Sequence, residues 1–344
     1  MHNVKIIEKY LQELLLIPSP TGYTNEISNY IKRELEKMNI DYKISNKGII
    51  VATIQGKNPE KEITFSSHID TLGAIVKEIK SNGRICISQI GGYMMNSIEG
   101  ENCLIHTRSG NKYEATLQTI RPSIHIHANE AKELPRDCKN YEVIIDEEVF
   151  TKEGVYNLGI EVGDIISFDT RTKITKSGFV KSRYLDDKAS VAAILYTIKY
   201  MNLNNIQPNN TINFFFSNYE EVGHGSSSFI PQNTFEFIAV DMGCPGKGQN
   251  STEYDVCICT KDSNGPYDYE FINKLVGICN QNNINYKLDI YPNYGSDATA
   301  ALKSGMDAKF ALIGPGIFAS HGYERTHIKS IVETIKLIIA YITN

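Results

Sequence analysis

No apolar run in the 344-residue sequence approaches the roughly 18 residues that a membrane-spanning helix needs, so a membrane partner is excluded. Lysine and arginine form no block, and the formal charge is −5, which leaves nucleic-acid phosphates without an electrostatic footprint. The seven cysteines, at positions 86, 103, 138, 244, 257, 259 and 279, make no CxxC pair and no zinc-finger spacing. Reduced, mostly buried thiols are therefore expected, and disulfides are not. The absence of fixed-period repeats and low-complexity tracts removes solenoids and propellers. The opening residues lead into a pattern interrupted by Glu8, Gln12 and Glu13 instead of a signal peptide's apolar core, so a cytoplasmic location is expected. What is present is globular: 41% hydrophobic and 22% charged residues, in a chain long enough for about two domains or one α/β unit with an insertion.

Helical spacing marks residues 4–16 through Ile6, Ile7, Tyr10, Leu11, Leu14 and Leu15, and stops at Pro18 and Pro20. A second helix follows through Ile27, Tyr30, Ile31, Leu35 and Met38. Residues 48–53 and 62–65 then read as strands. Between about Gly73 and Lys173 the character changes to short β-type runs separated by turns, with no long helical face. This predicts a separate small β domain, a barrel or a sandwich, inserted into the α/β unit. The α/β pattern resumes with a helix over 188–201, strands over 211–216, 235–240 and 255–260, and a last helix stepping through Ile328, Ile331, Ile335, Ile338 and Ile342.

Four short stretches, each after a strand-like run or at a helix start, carry the chemistry: Ser67-His68-Ile69-Asp70, Leu185-Asp186-Asp187-Lys188, Tyr219-Glu220-Glu221-Val222-Gly223 and Ala239-Val240-Asp241-Met242-Gly243. His321 follows a further strand-like run. Carboxyl ends of strands in open α/β sheets are where ligands bind, and His with carboxylates is a divalent-metal donor set. His68 and Asp70, two apart on a strand, point the same way; the imidazole suits a metal, and the carboxylate could orient that imidazole or a catalytic base. Asp186 and Asp187 have an ordinary reading as helix caps, but one carboxylate can also bridge two ions. The bridge is assigned to Asp186, leaving Asp187 as a cap or support. Of Glu220 and Glu221, one can bind metal while the other faces an attacking water as general base. Asp241 could be a turn residue or a carboxylate presented at the sheet edge. Jointly, His68, Asp186, Glu221, Asp241 and His321 supply two ions with open coordination, the mark of a catalytic site.

The same stretches resemble the M42 family of metallo-aminopeptidases, which includes glutamyl and tetrahedral, self-compartmentalising aminopeptidases. The likeness spans nearly the whole chain, including Gly91-Gly92, Ile105-His106-Thr107-Arg108 and residues 159–170 in the insert. It implies an α/β, zinc-peptidase (phosphorylase/hydrolase-like) catalytic domain of residues 1–72 and 174–344, with a small β-barrel domain at 73–173. It further implies two divalent ions, Zn²⁺ with Co²⁺ as the alternative: His68 and Asp241 on one, Glu221 and His321 on the other, and Asp186 bridging. Glu220 becomes the base and Asp70 an associated catalytic-site carboxylate. The expected reaction removes N-terminal residues from short peptides, in a homo-oligomer such as a dodecamer, with the insert serving assembly and access control. Thr71, Lys188 and the His321-Gly322-Tyr323-Glu324 run depart from common family residues without removing a ligand. His224 and His327 are left as surface histidines. Asp297 is a candidate for the substrate amino group, with helix capping as its alternative, and Pro315 to Ala319 are candidates for the specificity pocket. The rival functions are a di-zinc deacylase or carboxypeptidase, which a positively charged clamp would mark, and a non-catalytic metal-binding assembly protein.

Overall fold

Ile7, Leu11, Leu14 and Leu15 recur at helical spacing and are buried along one side of the helix Val4–Leu15, and Ile27, Ile31 and Leu35 do the same for Asn25–Lys37. Ile331, Ile335, Ile338 and Ile342 form the buried stripe of Ile328–Thr343. The helix Leu185–Leu203 is buried on nearly every side, because small and branched residues, Ala189, Val191, Ala192, Ala193, Ile194 and Ile198, surround it. It lies against Val4–Leu15, Ile328–Thr343 and the strand that ends at His68. These elements come from a computed structural model that describes residues 2–344.

The chain divides into two compact units, one running to Asp70 and resuming as Arg171–Asn344, the other Thr71–Thr170. The first is built on a nine-stranded sheet in the order Tyr42–Ile44, Ile50–Ile54, Asn210–Ser217, Asn58–His68, Thr234–Val240, Lys309–Pro315, Val256–Asp262 and Gly265–Pro266, with Tyr286–Ile290 also paired to Val256–Asp262. The four strands from Asn210–Ser217 to Lys309–Pro315 are parallel to one another. Their near-continuous apolar runs, such as Ile212 to Phe216 and Phe237 to Val240, fit a sheet covered on both faces. Parallel strands end on one edge, so the residues following them are delivered to one place.

A small antiparallel sheet of Lys173–Ile174, Phe179–Ser182 and Glu324–His327 sits in the same unit, with Ser182 opposite Glu324. It sets the chain leading into Asp186 beside the chain leaving His321. The expected barrel or sandwich of the insert is a closed barrel, in the order Gly73–Ile79, Ile85–Ile90, Tyr141–Ile145, Lys112–Thr119, Asn102–His106 and Ile165–Phe168. Closure leaves no free strand edge, and Val76, Ile85, Ile105, Leu117, Tyr141 and Ile166 fill its interior. All seven cysteines are free, and no helix among the described residues is long and apolar enough to cross a membrane.

Candidate metal centre

His68 closes its strand with its ring held at both nitrogens. Nδ1 donates to the main-chain carbonyl of Asp70 at 2.9 Å, which turns Nε2 toward Asp186 Oδ1 at 3.1 Å and Glu220 Oε2 at 3.7 Å. The Asp70 carboxylate does not orient the imidazole, from which it lies 3.8 Å. It accepts the Thr21 hydroxyl at 2.6 Å and the N–H groups of Glu220 and Glu221 at 3.2 and 3.4 Å. Of the two roles open to Asp70, the structure gives the imidazole to its carbonyl and the Glu220–Glu221 turn to its carboxylate.

Asp186 and Asp187 lie at a kink: their backbone is non-helical, a cis peptide bond joins them, and the regular helix runs on from there. Asp187 accepts the N–H of His68 at 3.2 Å. Asp186 directs Oδ1 to His68 and Oδ2 to His321 Nε2 at 3.3 Å, so one carboxylate addresses both imidazoles. His321 Nε2 also lies 3.6 Å from Glu221 Oε2. Asp241 directly follows Val240, and one of its oxygens accepts the N–H of Met242 at 2.6 Å. All five expected ligands and Glu220 thus converge within one unit. Sequence reasoning missed Glu324, which accepts the N–H groups of Asp186 at 3.1 Å and His321 at 3.0 Å. Its only signal was a place three residues after His321.

So many buried carboxylates cannot all ionise without compensation. Burial, followed by the charge of Asp186, pushes Asp241 up to about 7 and Glu221 up to about 8. Burial, reinforced by Asp241, Asp297 and Glu221 against the pull of His68, also raises Glu220 well above the carboxylate range. Asp186 goes the other way: burial opposes ionisation, but hydrogen bonds from His321 and His68 outweigh it. His68 is held well above its ordinary value, since Asp186, Glu220 and Asp241 together overcome burial.

The donor set fits divalent cations. Donor atoms of His68, Asp186 and Glu221 lie within 4.8 Å of one another, and so do those of His68, Asp187 and Asp241. Glu221 Oε1 is buried with no hydrogen-bond partner among the described residues, as an atom awaiting a cation would be. The second grouping brings in Asp187, which the sequence reading had left outside the ligands.

A cleft of about 450 Å³ opens on Asp186, Glu220, Glu221, Asp241 and His321. Its further wall is Asn264, Tyr294, Ser296, Thr299 and Lys303, the last being the one lysine or arginine among the described lining residues. The stretch Pro315 to Ala319 does not line it; Asn293 to Ser296 do, because the strand ending at Pro315 is buried to its tip. Asp297 is buried and committed, accepting from the Ser66 hydroxyl at 2.5 Å and the Ser226 N–H at 2.9 Å, so it is not free to hold an amine. Ser296 is the cap of that helix. His224 is exposed and stacks on Tyr219, whereas His327 is no surface residue: it is buried, caps Ile328–Thr343 and donates to the Ser177 carbonyl at 2.7 Å. Lys188 turns away from the cleft and donates to the Ile17 carbonyl at 2.6 Å, and burial pushes it down to about 7.

Residues 48–337 match the family model described as M42 glutamyl aminopeptidase. Over 342 residues, and 99% of each chain, the sequence is 47% identical to the protein named "Putative aminopeptidase YhfE" of Bacillus subtilis (strain 168). Among solved structures it is similar to the TET1 peptidase of Pyrococcus horikoshii, which assembles into a tetrahedron or a large octahedral shell, with a TM-score of 0.87 and 21% identity over 98% of this chain and 99% of that one. It is also similar to the PhTET1-12s dodecamer, with a TM-score of 0.84 and 22% identity over 100% of both chains.

Proposed function

The chain belongs to the M42 glutamyl aminopeptidase family and is a peptide-bond hydrolase of the aminopeptidase class, and from that premise we propose that it is a two-ion enzyme removing N-terminal residues from short peptides. The observation that supports this most is the meeting of His68, Asp186, Glu221, Asp241 and His321 at the edge where four parallel strands end, with Glu220 beside them. In this reading His68 and Asp241 hold one divalent ion, Glu221 and His321 the other, and Asp186 serves both. Zn²⁺ is the proposed metal and Co²⁺ its substitute, since mixed imidazole and carboxylate donors accept either. Such ions supply Lewis-acid polarisation of the scissile carbonyl and an acidified water.

The chain's own contribution is positioning and proton transfer. Glu220 takes the proton of the attacking water and returns it to the amine that leaves, while the peptide carbon gains oxygen and loses nitrogen. Burial raises the affinity of Glu220 for protons above the ordinary carboxylate range, the direction that favours taking a proton. Asp70 fixes the Glu220–Glu221 turn through their N–H groups. Lys303 in the cleft wall favours an acidic first side chain.

Glu220→Gln keeps the shape of the side chain and removes the base. The variant is expected to bind metal as the parent does, measured by atomic absorption after dialysis, and to lose at least about 10²-fold in kcat. Near-normal turnover at normal metal content would sink the assignment. Family membership sets aside the non-catalytic reading, since the chain is a peptide-bond hydrolase. We further propose a cytoplasmic homo-oligomer, a dodecamer in the manner of the PhTET1 assembly, with the barrel serving assembly and access.

A further inference from the structure

We propose that Glu324 is a positioning residue of the metal centre, acting by clamping the backbones of Asp186 and His321 in the one relation that lets their side chains share an ion. The inference rests on the two-ion reading above. Glu324 is 2% exposed, and each of its carboxylate oxygens is already engaged: Oε2 by the Asp186 N–H at 3.1 Å, Oε1 by the His321 N–H at 3.0 Å. The side chain therefore belongs to the frame of the site. Burial and the charge of Asp186 raise the affinity of Glu324 for protons well above the carboxylate range, and the two N–H donors pull against that rise.

The clamp has a defined anchor. Glu324 pairs with Ser182 in the small antiparallel sheet, so the carboxylate stands at a fixed point between the two segments it ties. Both of those segments need holding. His321 has a φ of 61°, a left-handed conformation that favours glycine and strains other residues, and Asp186 is non-helical at the head of a helix. Only with both backbones fixed do Asp186 Oδ2 and His321 Nε2 come to 3.3 Å. Asp70 does the corresponding work for Glu220 and Glu221. Two buried carboxylates thus share the framing of the centre, one for each side.

Glu324 holds Asp186, which serves both ions, and His321, which serves one, so losing the clamp should weaken the ion held by His321 and Glu221 more than the other. Glu324→Gln preserves size, but its amide nitrogen would face an N–H donor. The test is calorimetric titration of chelated parent and variant with Zn²⁺, together with the visible spectrum of Co²⁺-loaded protein. The parent should take two equivalents. The variant should bind the ion of His321 and Glu221 about 10- to 100-fold more weakly, with an altered Co²⁺ spectrum, and the other ion with a clearly smaller loss. Two equivalents bound with parental affinity would overturn the proposal, as would equal weakening of both alongside a lowered melting temperature, the signature of general destabilisation. If Glu324→Gln does not fold, Glu324→Asp is judged by the same readouts. A parent protein that binds no metal would instead defeat the two-ion reading itself.

Discussion

Asp241 and Glu221 set burial against charge in a way that solution experiments can follow. In the ion-free fold they hold protons up to about pH 7 and 8, against about 4 in an unfolded chain. A carboxylate whose affinity for protons rises on folding contributes stability in full below its unfolded value and loses it as pH climbs through its folded value. His68, raised for its part above the ordinary imidazole range, has the same sign. The chelated protein should therefore melt at a lower temperature at about pH 8.5 than at about pH 6, and metal should bind more tightly, with proton release, as pH rises. Thermal melts of chelated protein at both pH values provide the check, and higher stability at the alkaline value would contradict it. At this scale the ligands were readable because each follows a strand-like run or opens a helix and is of a metal-binding type. Thr21 and Glu324 were not, because the Asp70 carboxylate that accepts from Thr21 and the Asp186 N–H that Glu324 accepts lie 49 and 138 residues away and leave no local pattern. Asp187 was left open between a cap and a support for the same reason: its partner is the N–H of His68, far back in the chain.

Elements differ in legibility according to how much apolar periodicity they carry. The helices Val4–Leu15, Asn25–Lys37 and Ile328–Thr343 stand out because each buries one stripe, and Asn210–Ser217 because its apolar run is broken only by Asn213. The strand ending at His68 begins at Asn58, earlier than its apolar residues suggest, since Asn58 to Glu62, polar but for Pro59, are mostly exposed. Most obscure was the three-stranded sheet. Glu324–His327 is wholly polar, and Lys173–Ile174 is two residues long, so neither produces a strand signal. Yet that sheet aligns Asp186 with His321. In the main sheet Phe214 is fully buried, with its ring stacked 6.0 Å from that of Phe65. Phe214→Ala should cost about 3–5 kcal/mol through lost burial and the cavity left behind, seen as an earlier urea transition. A loss under about 1 kcal/mol would show that the strand relaxes around the gap, contrary to a close-packed core.

For the whole molecule, the alternation of short β runs and turns between two α/β stretches was visible in the sequence. The runs alone left a barrel or a sandwich open, because closure depends on Gly73–Ile79 pairing with Ile165–Phe168 across the length of the insert, and the family resemblance implied the barrel. The barrel unit leaves Met94, Ile126 and Phe150 each more than 70% exposed, side chains that gain by being covered. Light scattering should accordingly find an assembly of many copies, and a monomer would contradict the proposed homo-oligomer. The central claim, that metal-dependent chemistry acts on free peptide N-termini, is tested most directly by hydrolysis of matched free and N-acetylated aminoacyl and short-peptide substrates, an acidic first residue among them, by metal-reconstituted and chelated protein. Cleavage should be confined to free N-termini and abolished by chelation. Cleavage of the acetylated series, as a deacylase would give, or undiminished turnover after chelation, would contradict it.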